Sequence, residues 1–124
     1  MTEFLAHAFG DYIVQSDWMA NEKTKRHLPA ALHAVSYAAC FLPLTRSSKA
    51  LVIIGGTHFV IDRWRLAKHV GWFKNQLAPE SFRPAHTATG YGEEKPDWMA
   101  VWLMIITDNT IHLTINHWAL RRWR

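Results

Sequence analysis

Apolar positions recur at the spacing of an α-helix in four stretches of the chain, residues 2–21, 29–42, 48–77 and 97–122. Residues suited to helix starts support these boundaries. Thr2 can cap the first helix, Pro29 suits the first turn of the second, and the pair Ser47–Ser48 can cap the third. The pattern therefore predicts an all-α protein with four helices.

Two features interrupt this pattern. The Gly55–Gly56 pair marks either a weak point in the third helix or a place where another helix comes close. Residues 78–96 are rich in proline, glycine and charge, which predicts a loop of the length typical of a lid or binding segment. We therefore predict a four-helix bundle with a long loop before the last helix, formed by a single domain over residues 1–124.

The composition is that of a protein that buries a core, since 49% of the residues are hydrophobic and 19% are charged. The single Cys40 allows no internal disulfide and suggests a reducing compartment. The first residues lack the basic and apolar regions of a secretory signal. These observations predict a cytoplasmic protein.

Two stretches are long enough for a membrane span of roughly 20 residues, because residues 27–45 carry no fixed charge and residues 98–120 carry only Asp108. His112 and Asn116 interrupt the second stretch, and prolines interrupt the first. Since polar and charged groups are costly inside a membrane, we expect a soluble or peripheral protein. Contact with the inner membrane stays open as an alternative.

Three predicted helices each carry a histidine and an aspartate four residues apart, namely His7 with Asp11, His58 with Asp62, and His112 with Asp108. Residues four apart lie on one face of a helix. In an up-down bundle the last helix runs opposite to the first and third, and its pair also reads in the opposite order. The three histidines of these pairs would then lie at one level and the three aspartates at another, about 6 Å away.

Imidazole and carboxylate groups are ligands that zinc, manganese and iron prefer, and buried carboxylates repel one another unless cations neutralise them. We therefore predict a centre for zinc, manganese or iron whose ligands are His7, Asp11, His58, Asp62, Asp108 and His112. The alternative is a structural polar core in which each aspartate pairs with its histidine.

Other polar residues lie near the predicted centre. Gln15 and Asn116 extend two of the stripes by one turn and would orient the ligands or contact substrate. His33 is the only ionisable group in the apolar part of the second helix. Either His33 or an aspartate such as Asp62 would then act as a general base.

Positive charges outnumber negative ones by four, and basic residues cluster at 23–26, at 63–68 and in the tail 121–124. Arg63 and Arg65 would bind an anionic small molecule beside the centre, or else form a solvated face. Nothing beyond this basic charge indicates nucleic acid.

Three segments match a family pattern. Residues 7–20 fit H-x-x-G-D-x-x-x-Q-x-D-W-M-A, residues 58–65 fit H-x-x-x-D-x-x-K with Arg65 where a lysine is usual, and residues 108–112 fit D-x-x-x-H. The chain thus resembles a family of proteins from bacteria and their phages that is catalogued as domain of unknown function 3307. The resemblance covers most of the chain except residues 78–96. It implies a helical protein, often predicted to be membrane-associated, without an assigned reaction.

Two functions from different classes follow as predictions. The first is a metal-dependent, hydrolase-like helical protein in which metal-activated water attacks a phosphoester or a similar bond. The second is a non-catalytic small protein, of a kind that phages encode, which binds a host protein or a membrane surface. Its contact would be the basic, Trp-rich end of the chain, and the His/Asp core would only stabilise the fold.

Overall fold

The computed structural model describes residues 2–84 and 88–123. All regular structure within these residues is helical, which confirms the prediction of an all-α protein. The α-helices are α1 (Glu3–Phe9), α2 (Asp17–Glu22), α3 (His27–Ala39), α4 (Ser48–Arg63), α5 (Leu66–Gln76) and α6 (Asp97–Arg122). The four predicted helices thus correspond to six, and the four-helix bundle itself stays a prediction.

The chain divides into two compact units. Residues 1–64 and 112–124 form unit 1, and residues 65–111 form unit 2. Most of the predicted site residues lie in unit 1.

Two predicted caps are present. Thr2 Oγ1 accepts a hydrogen bond from the Leu5 amide at 3.4 Å, and Ser47 Oγ accepts one from the Ala50 amide at the same distance. Pro29 lies in the first turn of α3, as expected from its fixed φ. Local capping chemistry therefore predicted the starts of the first and third helices correctly.

The first predicted helix is not continuous. After α1 the chain forms a π-helical turn over Gly10–Val14, closed by a 3.2 Å hydrogen bond from the Gln15 amide to the Gly10 carbonyl. Ser16 then caps α2, because its Oγ accepts from the Met19 amide at 3.3 Å. The prediction of a single helix to residue 21 was therefore wrong. The helical path ends before Ser16, which caps α2. Such π turns occur frequently at functional sites.

The third predicted helix also divides in two. Arg65, with φ of 47°, ends the α-helical path between α4 and α5, and it is the only non-glycine residue with positive φ in the described chain. In contrast, α4 runs straight through Gly55–Gly56. A Cβ on Gly55 would lie 3.1 Å from the Ala38 Cβ, so the glycine marks the close approach of α3, the second of the two predicted alternatives.

Helices α3 and α4 pack against each other and form the centre of unit 1. Around them lies a buried apolar cluster of Ala6, Tyr37, Phe41, Ile54, Ala119 and Leu120. Tyr37 is fully buried, and its ring lies directly over Gly10. This packing brings α1, the π turn and the end of α6 against the α3–α4 pair.

Unit 1 reverses the usual distribution of polar and apolar side chains on some of its helices. On α1 and the π turn the buried residues are Ala6, His7, Gly10 and Asp11. The exposed residues of the same segment include Phe4, Leu5, Phe9, Tyr12 and Ile13. On α3, His33 is buried whereas Leu28, Leu32 and Val35 are exposed. None of the helices in the described part of the chain is both long and apolar enough to cross a membrane.

The position of Tyr37 over Gly10 gives a first prediction. A Cβ on Gly10 would lie 2.6 Å from Tyr37 Cδ2, so Gly10→Ala should lower the free energy of unfolding by about 1–3 kcal/mol through overpacking. Gly56→Ala is the matched control, because no atom lies within 4 Å of its added Cβ in the middle of α4. It should be neutral or stabilise by up to about 1 kcal/mol. Urea unfolding measures the free energy of both variants. Equal changes in the two would contradict the packing of Tyr37 on Gly10.

Unit 2 contains α5, the first part of α6 and a segment between them. The predicted loop at 78–96 holds one 3₁₀ turn, Glu80–Phe82, among its described residues. Gly90, at φ +87°, lies against Gly71 of α5, and Asn75 Nδ2 donates to the Gly90 carbonyl at 2.7 Å. The loop therefore packs on α5.

Candidate metal centre

Four side chains of unit 1 bring one donor atom each to a common point. His33 comes from α3, His58 and Asp62 from α4, and Asp11 from the π turn. The atoms are His33 Nε2, His58 Nε2, Asp11 Oδ1 and Asp62 Oδ2, which we call the donor cluster. All four residues are buried, the two histidines almost completely.

The distances within the donor cluster are short and similar. The two Nε2 atoms lie 2.8 Å apart. Asp11 Oδ1 lies 3.3 Å from His33 Nε2 and 3.2 Å from His58 Nε2. Asp62 Oδ2 lies 3.3 Å from each of the same nitrogens. These are five of the six distances among the four atoms. In a regular tetrahedron, corners about 3.3 Å apart lie about 2.0 Å from the centre, which is the length of a bond from zinc to nitrogen or oxygen.

Hydrogen bonding does not account for this cluster. Asp11 Oδ1 has no hydrogen-bond partner in the described structure although it is buried and lies beside two imidazole nitrogens. His33 Nδ1 is a second buried atom without one. An unpaired buried polar atom costs about 1–3 kcal/mol. The donor cluster therefore has the geometry of ligands to a cation more than that of a hydrogen-bonded network.

His112 of α6 adds a further donor beside this cluster. Its Nε2 lies 3.1 Å from Asp62 Oδ1, and its Nδ1 lies 3.1 Å from His58 Nδ1. The structure thus contains two groups that could each hold a metal ion, Asp11 with His33 and His58, and His58 with Asp62 and His112. His58 belongs to both groups.

His7 lies at the edge of the site and bonds to a tyrosine. Its Nδ1 is 2.7 Å from Tyr37 Oη and 3.4 Å from Asp11 Oδ2. Asn116 Nδ2 donates to the same Tyr37 oxygen at 2.6 Å, and the Tyr37 ring stacks on His58 with centroids 3.6 Å apart. The tyrosine therefore holds the orientation of two imidazoles. The His/Asp spacing did not point to this tyrosine, although Tyr37 follows His33 by the same four residues.

Lys23, just beyond α2, also contacts the donor cluster. Its Nζ donates to Asp62 Oδ2 at 2.6 Å and to Gln15 Oε1 at 2.7 Å. Gln15, predicted to orient ligands, thus contacts the site through this lysine. No periodicity pointed to Lys23, because it lies outside the helix that carries Asp11 and pairs with a residue 39 positions away.

The remaining predicted site residues lie elsewhere. Arg63 donates to the carbonyls of Thr24 and Lys25, and so fastens the segment after α2 to the end of α4. Arg65 is the left-handed residue before α5. Asp108 is on α6, in the part assigned to unit 2, and neither of the two metal-binding groups includes it.

The carboxylates of the cluster are held in their charged form. Burial alone would raise the pKa of Asp62, but His58, His112 and His33 outweigh it and hold that pKa well below its usual range. Burial would also raise the pKa of Asp11, but the imidazoles of His33 and His58 outweigh it and hold that pKa below its usual range. Burial would lower the pKa of His33, whereas the neighbouring carboxylates of Asp11 and Asp62 outweigh it and raise that pKa.

These directions predict how acid affects the protein in the presence of a chelator. The pKa of Asp62 is lower in the folded state than its unfolded value of about 3.9, so its contribution to stability is complete above that pH. The contribution is lost as the pH falls towards the folded pKa, by at most about 1.4 kcal/mol per pH unit. Asp62→Asn should therefore flatten the loss of unfolding free energy below about pH 4. The exposed Asp17→Asn should not, and urea titrations at several pH values compare them.

Comparison with known proteins identifies a family but no function. A family model described as protein of unknown function (DUF3307) matches residues 1–115. No curated protein and no solved structure matches the chain.

Proposed function

Because the chain belongs to DUF3307, a family whose description names no reaction, we propose a function from the chemistry of the site itself. The protein binds one divalent metal ion, zinc, manganese or iron, in the donor cluster, with His33, His58, Asp11 and Asp62 as its ligands. His112, which contacts the other oxygen of Asp62, either joins them or orients that carboxylate.

One observation carries this proposal. Asp11 Oδ1 is buried and without a hydrogen bond, yet it lies 3.2–3.3 Å from two imidazole nitrogens that are themselves 2.8 Å apart. A single proton held between those two nitrogens would leave Asp11 Oδ1 without a donor. A divalent cation of tetrahedral or similar geometry would satisfy them together.

The reaction that we assign to the centre is hydrolysis of a phosphoester or a similar bond. A bound divalent ion would supply a Lewis acid and an activated water. The residues of the chain hold the ion, keep its surroundings dry and orient the imidazoles through Tyr37. His33 and Asp62, predicted as proton acceptors, both lie in the donor cluster, so we assign them to the metal.

The test is hydrolysis of a nitrophenyl phosphate by protein loaded with zinc, manganese or iron. We expect activity that a chelator abolishes and that returns with one of the ions. Asp62→Asn should remove it, whereas Asp17→Asn, on the exposed side of α2, should retain it. Activity that survives in the chelated protein, or in Asp62→Asn, would contradict a metal-dependent hydrolase.

A second function, binding to a host protein or a membrane surface, has support from a different observation. Large apolar side chains are exposed on α1, on α3 and at the end of α6. At that end Trp118 is exposed and packs edge-on against Trp123, and Arg122 lies 5.6 Å from the Trp123 ring. Removing residues 121–124, of which Arg124 lies outside the described residues, should abolish such binding and leave metal binding intact. Binding that persists without these residues would exclude this end of the chain as the contact.

A further inference from the structure

Lys23 is the one cationic side chain of unit 1 that donates a hydrogen bond to the donor cluster within the described residues. A lysine ammonium has three N–H donors. Two of them are used, on Asp62 Oδ2 and on Gln15 Oε1. The third has no acceptor in the described part of the protein.

The lysine also lies where solvent reaches the site. Its side chain is 19% exposed, whereas that of Asp62 is 4% exposed and that of His33 is completely buried. Of these three side chains, that of Lys23 is the one that solvent reaches most. A partly buried cation beside a buried metal site is suited to an anion that also binds the metal.

The position of Lys23 is fixed by the protein. Its backbone amide donates to the Met19 carbonyl at 2.9 Å, which ends α2. Arg63 holds the next two residues through their carbonyls, at 2.7 Å for Thr24 and 3.2 Å for Lys25. Arg63 also donates to His27 Nδ1 at 3.3 Å, so three of its five N–H donors hold this segment and support the position of the lysine.

We propose that Lys23 and the metal ion together form a binding site for a small oxyanion of the phosphate class. The proposal rests on the proposed function, since the metal is one half of the site. It replaces the two predicted arginines with a single lysine as the group that would contact the anionic part of a substrate.

The experiment uses the full chain loaded with Co²⁺, whose visible absorption reports the ligands around the ion. Titration with inorganic phosphate should change the spectrum of the wild-type protein and give a Kd. Lys23→Met should still bind Co²⁺, because loss of a positive charge beside Asp62 favours a divalent cation. Its phosphate affinity should fall about ten- to a hundredfold.

Two further variants sharpen the result. Lys25→Met is the matched control, since Lys25 is exposed and pairs only with Glu22 among described groups, and its phosphate affinity should be unchanged. Lys23→Arg keeps the charge and should recover part of the affinity lost in Lys23→Met. Phenyl phosphate in a parallel titration shows whether the ester or the free anion binds more tightly, and either order supports an oxyanion site.

The two proposals fail in different ways. If no Co²⁺ spectrum develops in the wild-type protein, the proposed function fails and this inference fails with it. If Co²⁺ binds but phosphate has equal affinity for wild type and Lys23→Met, only the role of Lys23 is overturned. Loss of Co²⁺ binding in Lys23→Met would also overturn it, because the lysine would then serve to hold the ligands.

Discussion

Protein purified without a metal-affinity tag is expected to contain about one equivalent of a divalent metal, and Asp11→Asn and Asp62→Asn are expected to contain almost none. Each change keeps the shape of the side chain and removes the charge that the donor cluster offers to a cation. Loss of one ligand from such a site should weaken binding by more than about a hundredfold, since even changes around the ligands cost ten- to a hundredfold. Elemental analysis of the folded proteins measures this directly.

The same experiment separates two sets of ligands. Spacing along the sequence predicted that Asp108 is a ligand, whereas both metal-binding groups in the structure lack it. Asp108→Asn should therefore keep its metal while Asp62→Asn loses it. If both variants lose the metal equally, Asp108 is also a ligand, and the donor cluster as described is incomplete.

Metal binding should also appear as thermal stability. A ligand present at about 1,000 times its Kd adds about 4 kcal/mol to the free energy of unfolding. For a chain of 124 residues this raises Tm by roughly 10–20 °C. Circular dichroism with and without a chelator measures the shift. A well-folded wild type that contains no metal, and that none of the ions stabilises, would mean that the cluster is a structural polar core.

The second large effect is expected at Tyr37. Tyr37→Ala should lower the free energy of unfolding by about 3–5 kcal/mol, because the ring is fully buried between Gly10 and His58. Tyr37→Phe keeps the ring but removes the oxygen that His7 and Asn116 contact, which should cost about 1–3 kcal/mol. Urea unfolding of the metal-free proteins gives both values.

A double-mutant cycle tests the packing that underlies this expectation. Gly10→Ala is destabilising only because its Cβ would meet the Tyr37 ring, at 2.6 Å from Cδ2. In a Tyr37→Ala background the same change should become nearly neutral, so the two effects should be strongly non-additive. Simple additivity would show that Gly10 is needed for another reason, such as the π turn that begins there.

The sequence predicted the helical class and part of the site for clear physical reasons. A spacing of four residues places side chains on one face, and this rule alone led to His58, Asp62 and Asp11, which lie in the donor cluster. His33 has no aspartate at that spacing, so the rule could not identify it as a donor. Its place in the cluster depends on the packing of α3 against α4, which no local pattern contains.

The errors in the helix boundaries have equally specific causes. Arg65 adopts a left-handed conformation without the glycine that usually marks one, so the break between α4 and α5 left no signal. The π turn at Gly10–Val14 begins where Tyr37 packs on Gly10, and a prediction from α-helical periodicity includes neither feature. Lys23 contacts Asp62 across 39 positions of sequence, and such contacts follow only from the assembled fold.

The buried polar residues of α1, the π turn and α3 set the stability of the metal-free protein against the proposed metal binding. Buried ion pairs can often be replaced by apolar side chains of similar volume without loss of stability. Variants selected for heat resistance in the presence of a chelator would therefore tend to exchange residues such as Asp11 and His33 for apolar ones. In unit 1 the positions that such a selection would alter first are the ones that form the donor cluster. Engineering a more robust form of this protein should for that reason begin on the outer faces of its helices and leave the interior unchanged.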